Sequence, residues 1–170
     1  MKSVDQTIVL KDDGDCMRAC IASLFELSIE QVPHFLRFDC NICKRDVILN
    51  KQLAGNKSEL GTINSFSMLW NFLRSLGWDY NGCGYPSYKN ESSGVVPNQL
   101  NFEDSVDGYF YASVPSRTFE NKTHSVIINQ IGVVVHDPNP NKKWQGINIL
   151  ESKDLQYWYL LSRKNTVSED

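Results

Sequence analysis

His124-Ser125-Val126-Ile127-Ile128-Asn129-Gln130-Ile131-Gly132-Val133-Val134-Val135-His136-Asp137 is the stretch that decides the fold. Two β-branched apolar runs flank Gln130-Ile131-Gly132, a spacing that predicts an antiparallel hairpin with a tight turn. Upstream, Gly108 to Val114 is aromatic and β-branched, and downstream Leu155 to Leu161 has the same character. Both read as strands. A short strand is expected over Trp78 to Tyr80, and the Gly-, Pro- and Ser-rich residues 82–101 read as loop. The helices lie before these strands. Asp15 is in place to N-cap a helix from Cys16 to about Phe25, with Ala19, Cys20, Ser23 and Leu24 at helical spacing on a face that suits close packing on a sheet. Ser28-Ile29-Glu30-Gln31 reads as a second N-cap with one helical turn, closed by Val32-Pro33. A longer helix is expected from Thr62 or Asn64 to Leu76, with Phe66, Leu69, Trp70, Leu73 and Leu76 as its apolar stripe and Gly77 at its C-terminus. Residues 37–60 read as a surface excursion, and Gln6 to Leu10 as a short extended segment. Helices first and antiparallel strands afterwards predict an α+β fold, one helix layer on one sheet. The reading is a single domain over residues 1–163 and a polar tail over 164–170.

The 170 residues carry 41% hydrophobic and 22% charged side chains, an ordinary globular composition. A net charge of −3 and the lack of a Lys/Arg run give no electrostatic case for nucleic acid. No apolar stretch approaches the roughly 20 residues of a membrane span, and the N-terminus has no signal-peptide core. The expectation is therefore a cytoplasmic protein. Its five cysteines are read as thiols, their odd number arguing against a closed disulfide framework. Cys40-x-x-Cys43 is half of a zinc motif, with His34 and Cys83 as distant partners. The second cysteine pair is absent, so a surface loop is the preferred reading and no metal or cofactor is expected.

Three residues carry the chemistry. A thiol at the start of a helix, Cys16, meets unpaired N–H groups and a partial positive charge that favour the thiolate. His124 opens one strand of the hairpin and Asp137 follows the end of its partner, so both lie at the same end. The carboxylate is then placed to fix the tautomer of His124 and leave the other ring nitrogen for the thiol. Pro138 and Pro140 stiffen that turn. His136 and Asp137 point to opposite faces, and Asp137 is chosen as the partner of His124. Asp15, Asn139 and Trp144 flank the site as candidate substrate contacts, Trp144 as a wall. Arg117, Lys122 and the Lys142-Lys143 pair read as solvated loop charge. Spacing alone leaves open that Cys16 is a core thiol, as Cys20 is read, and that His124 is an ordinary satisfied polar residue.

Four short motifs, in order, go further. The opening segment (Gln6-Thr7, Gly14-Asp15-Cys16, Ala19 to Leu24 and, at its end, Glu30 to Phe35), then Ala112-Ser113-Val114-Pro115-Ser116, His124-Ser125-Val126-Ile127 and His136-Asp137-Pro138-Asn139-Pro140 together resemble small papain-like proteins related to the C39 peptidases, many of them phage-encoded or bacterial. The resemblance implies a papain-like fold. It implies Cys16 as nucleophile, His124 as base and then acid, and Asp137 as orienting carboxylate. It also implies that Gln6 and the Cys16 N–H form an oxyanion hole. The implied reaction is thioester-mediated cleavage or transfer at a peptide bond, an isopeptide link to a small modifier, a γ-glutamyl-type amide or a cell-wall peptide. A phage accessory protein acting on a host protein or conjugate in the host cytoplasm is one extension. The alternative is a catalytically silent module that sequesters a host protein or small ligand. The chain departs from the family at Met17 and Arg18, where glycine usually follows the nucleophile, at Asn139, where histidine is common, and in the longer separation of Gln6 from Cys16.

Overall fold

Asn129 and Gly132 close the hairpin. The Gly132 N–H donates to the Asn129 carbonyl at 3.0 Å, and the Asn129 Oδ1 accepts the Val133 N–H at 2.9 Å. Gly132 has φ +80°, and a Cβ there would meet the Leu150 side chain at 2.3 Å, so only glycine fits. The computed structural model describes residues 1–11, 14–35, 65–84, 100 and 105–163. Cys40, Cys43 and the proposed polar tail lie outside these residues, as do the side chains of Cys83 and Phe66.

The chain runs α1 (Cys16–Leu24), a single 3-10 turn (Ile29–Gln31), α2 (Ser65–Ser75), β1 (Trp78–Gly84), β2 (Tyr109–Pro115), β3 (Thr123–Asn129), β4 (Val134–His136) and β5 (Tyr157–Arg163). The sheet order is β1-β5-β2-β3-β4, and every pairing is antiparallel. The α+β expectation holds, with both helices of the described residues before the central hairpin.

Strand β1 is longer than Trp78 to Tyr80. It continues through Gly82 to Gly84, residues assigned to a loop by their composition. Gly84 is required there, because a Cβ would lie 2.2 Å from the Trp158 ring of β5. The remainder of residues 82–101, Leu100 excepted, lies outside the described residues.

The expected helix layer covers one face of the sheet, and the other face is buried as well. Tyr111, Ile127, Tyr159 and Leu161 join Cys20, Ile21, Leu24, Met68, Leu69 and Leu73 in one core, on the helix side. Phe110, Ala112, Val114, Val126, Ile128 and Val134 face the other way, onto Trp144, Ile149, Leu150 and Leu155. The second layer is thus the irregular segment after β4, not a helix. Helix α1 packs on β3 and β2, and α2 packs on β1. Among the described residues no helix is long and apolar enough to cross a membrane.

The N-terminal segment joins no strand. It straps α1 to the end of the hairpin instead. The Val4 N–H donates to Ser23 Oγ at 2.8 Å, the Val4 carbonyl lies 2.8 Å from His136 Nε2, and the Gln6 N–H donates to the Pro138 carbonyl at 2.9 Å.

Candidate active site

The hairpin register does what its sequence implies. Val114 pairs with His124 near one end of β2 and β3, and His136 pairs with Ile127. The chain leaving β4 then brings Asp137 Oδ1 to 2.8 Å from His124 Nε2. Cys16, at the first turn of α1, lines one recess with His124, and the imidazole acts on its thiol. With Nε2 held by Asp137, Nδ1 is the ring nitrogen left for the thiol. The three residues picked out by spacing are therefore together.

The electrostatics of the trio are cooperative. Burial alone would raise the Cys16 thiol pKa, but the hydrogen bond and charge of His124, with bonds from Ser125, bring it below its ordinary value. Burial likewise opposes the charge on His124, yet the bonds to Asp137 and Cys16 raise its pKa to about 9. Both shifts move the pair toward thiolate and imidazolium. Four helix positions on, Cys20 is fully buried, and burial pushes its thiol well up. The two cysteines of α1 are thus chemically distinct.

Asp137 is the most tightly held member. It is 0% exposed. Its Oδ1 also accepts the Asn139 N–H at 2.9 Å, and Oδ2 accepts the Trp144 N–H at 2.9 Å. Burial works against ionisation, and these bonds with the one to His124 overcome it, holding the carboxyl below its ordinary value. Two residues that sequence reasoning left aside fix its main chain. The Asp137 N–H donates to Gln145 Oε1 at 3.0 Å, and Lys142 Nζ donates to the Asp137 carbonyl at 2.8 Å while also pairing with Asp5. Lys142 was read as loop charge because nothing local in its sequence points at Asp137.

Gln6 lines the same recess as Cys16, His124 and Asn139, beside the exposed side chains of Val9 and Leu10. Its Nε2 donates to the Ile8 carbonyl at 2.9 Å, which orients the amide and leaves the second hydrogen of that nitrogen uncommitted. Asp15 explains how Gln6 reaches the cysteine across a longer separation. Its carboxylate accepts the N–H groups of Thr7 and Ile8 at 3.0 and 2.9 Å and the Thr7 hydroxyl at 2.7 Å, folding the segment back on the start of α1.

Asp15 is thus not placed as a substrate contact. It is 1% exposed and engaged by its own chain. It occupies the N-cap position, but its side chain makes no capping bond. Trp144 also fails to wall the recess. Its side chain is 2% exposed in the core beneath the sheet, and it serves Asp137 through its main-chain N–H. Arg117 lies over its ring at 3.7 Å and donates to the Lys143 carbonyl at 2.9 Å, so Arg117 is not simply solvated charge. Asn139 does line the recess, its Oδ1 accepting the Asn141 N–H at 3.0 Å. His136 is spent on Val4. Arg18, at a position that departs from the resembled family, donates to the Val32 carbonyl at 2.7 Å and ties α1 to the 3-10 turn.

One prediction concerns Asp15. Asp15→Ala removes a buried acceptor from two N–H groups and a hydroxyl. It is expected to cost about 2 kcal/mol, lowering the thermal midpoint by about 4–8 °C in a chain of this size. An unchanged midpoint by calorimetry contradicts the clamp.

Among the described residues no group of three or more His, Cys, Asp or Glu side chains is arranged to hold a metal ion. Comparison of the chain with protein-family models, with curated proteins and with solved structures finds no match.

Proposed function

We propose that this protein is a papain-like cysteine peptidase or amidase that works through a thioester on Cys16. The observation that carries the reading is one recess that holds both Cys16 and His124, whose imidazole is bonded to Asp137 at 2.8 Å. The Cys16 thiolate attacks the carbonyl carbon of an amide. Negative charge moves to the carbonyl oxygen, where the Cys16 N–H and Gln6 Nε2 receive it. His124 gives its proton to the departing amine as the C–N bond breaks, leaving the thioester. The neutral imidazole then takes a proton from water, whose oxygen adds to the thioester carbon, and returns it to the leaving sulfur. Asp137 holds the ring and stabilises its cationic form throughout. The substrate class is a peptide or protein amide, including an isopeptide conjugate.

The test is selective alkylation. Chloroacetamide is expected to modify Cys16 at or below pH 7, where an ordinary thiol with a pKa of about 8.5 is mostly protonated. Cys20 is expected to stay unmodified in the folded protein. Equal modification of both cysteines, read by peptide mass, overturns the reading. A Cys16→Ala variant is expected to lose any amide cleavage while still holding the substrate. A variant that keeps its full biological effect assigns the protein to the binding module instead.

A further inference from the structure

The peptide unit between Lys143 and Trp144 is hydrogen-bonded at both ends, to groups of opposite charge. Its carbonyl accepts from Arg117 Nη1 at 2.9 Å, and its N–H donates to Asp137 Oδ2 at 2.9 Å. The same guanidinium lies over the Trp144 ring, 3.7 Å from its centroid. Lys143 Nζ donates in return to the Arg117 carbonyl at 2.9 Å, so positions 117 and 143 are tied twice, each side chain to the other's main chain. The turn that carries Arg117 is itself closed. The Ser116 N–H donates to the Lys122 carbonyl at 2.8 Å, and Ser116 Oγ accepts the N–H groups of Thr118 and Phe119 at 3.2 and 3.0 Å. An exposed arginine is thus joined, across one peptide unit, to the buried carboxylate that holds His124.

A peptide unit is planar, so fixing the direction of its C=O fixes the direction of its N–H. A charged donor on the oxygen also draws electron density from the nitrogen, and hydrogen bonds in series strengthen one another. Both effects favour the bond from Trp144 to Asp137. That bond matters for orientation. Asp137 Oδ1 is shared by His124 Nε2 and the Asn139 N–H, so the contact at Oδ2 is what stops the carboxylate from turning about Oδ1.

The geometry points to Arg117 as a positioning residue for the proposed reaction: through the 143–144 peptide unit it sets the Asp137 carboxylate, and through that carboxylate the His124 ring. The inference rests on Cys16 being the nucleophile. Arg117 does not itself line the recess that holds Cys16 and His124, so it acts on the thiol through Asp137 and the imidazole. Without the guanidinium the carboxylate is held less firmly and stabilises the imidazolium less. The thiol then ionises at a higher pH.

The experiment is chloroacetamide modification of Cys16 in the full chain over pH 5 to 10, followed by peptide mass. Arg117→Met removes the guanidinium and keeps an unbranched apolar stem to cover the Trp144 ring. It is expected to move the midpoint of the profile up by about half a pH unit, making modification about threefold slower at pH 6. The two profiles should converge at about pH 9.5, where the thiol is ionised in both proteins. In a His124→Ala background the path from Asp137 to the thiol is cut, so adding Arg117→Met should slow modification at pH 6 no further. An equal slowing in both backgrounds overturns the proposal, because it marks only the loss of a nearby positive charge. So does an Arg117→Met profile superimposable on the original, or a rate lowered equally at all pH values, which marks a structural defect. An unaltered protein whose Cys16 resists modification at every pH overturns the nucleophile reading itself, a result distinct from these.

Discussion

Alanine at position 124 is expected to slow alkylation of Cys16 at pH 7 by about a hundredfold, the effect of some two pKa units on thiolate population. The direction follows from the opposing influences on the thiol. Burial pushes its pKa up, and the hydrogen bond and charge of His124 are the chief influences pulling it down. With the imidazole gone, burial prevails and the thiol is protonated at neutral pH. The loss should shrink as pH rises toward 10, where the thiol ionises unaided. His124→Gln, which keeps hydrogen-bonding capacity without a titratable charge, should recover only part of the rate. A His124→Ala protein as reactive as the original at pH 7 leaves the ion pair without support.

The second large effect concerns the fold itself. Asp137→Ala strands three donors at once: His124 Nε2 and the N–H groups of Asn139 and Trp144. Breaking such a buried network is expected to cost about 3–5 kcal/mol, or about 6–20 °C in thermal midpoint for a chain of this size. The pH dependence has a definite sign. The folded carboxyl has a pKa below its unfolded value, so its contribution is fully present above about pH 4. It disappears as pH falls through the lower, folded pKa. The stability gap between the original and Asp137→Ala should therefore narrow in acid, as read by denaturant titration at pH 7 and pH 3. A constant gap would falsify the assignment of the stabilisation to the ionised carboxylate. Asp137→Asn should also be destabilised, because whichever way its amide lies, an NH2 faces a donor at one end.

The hairpin and the meeting of His124 with Asp137 were readable in the sequence for the same reason. A short turn fixes the register of two strands, and register determines which residues share an end. Cys16 was readable because helix starts have a local signature. What escaped depends on partners distant in sequence. Asp15 looks like an N-cap until Thr7 and Ile8 are seen folded against it. Trp144 looks like a cleft aromatic until the irregular layer beneath the sheet is known. The glycines of β1 argue for a loop, and only Trp158 explains why Gly84 belongs in a strand. The second buried face had left a trace: β2 and β3 are apolar at consecutive positions, the pattern of strands covered on both sides.

The N-terminal strap carries a consequence for how reactivity arises during synthesis. Val4 and His136, which it joins, are 132 positions apart, and the residues that lower the Cys16 thiol pKa belong to the same late hairpin. Translation proceeds from the N-terminus, so Cys16 leaves the ribosome well before His124, Ser125 or Asp137 exists. A nascent chain thus exposes an ordinary, mostly protonated thiol. On the proposed function, the cysteine gains its reactivity only when the hairpin has been made and the strap has closed on it, which would spare a half-made chain from attacking the crowded surroundings in which it is born.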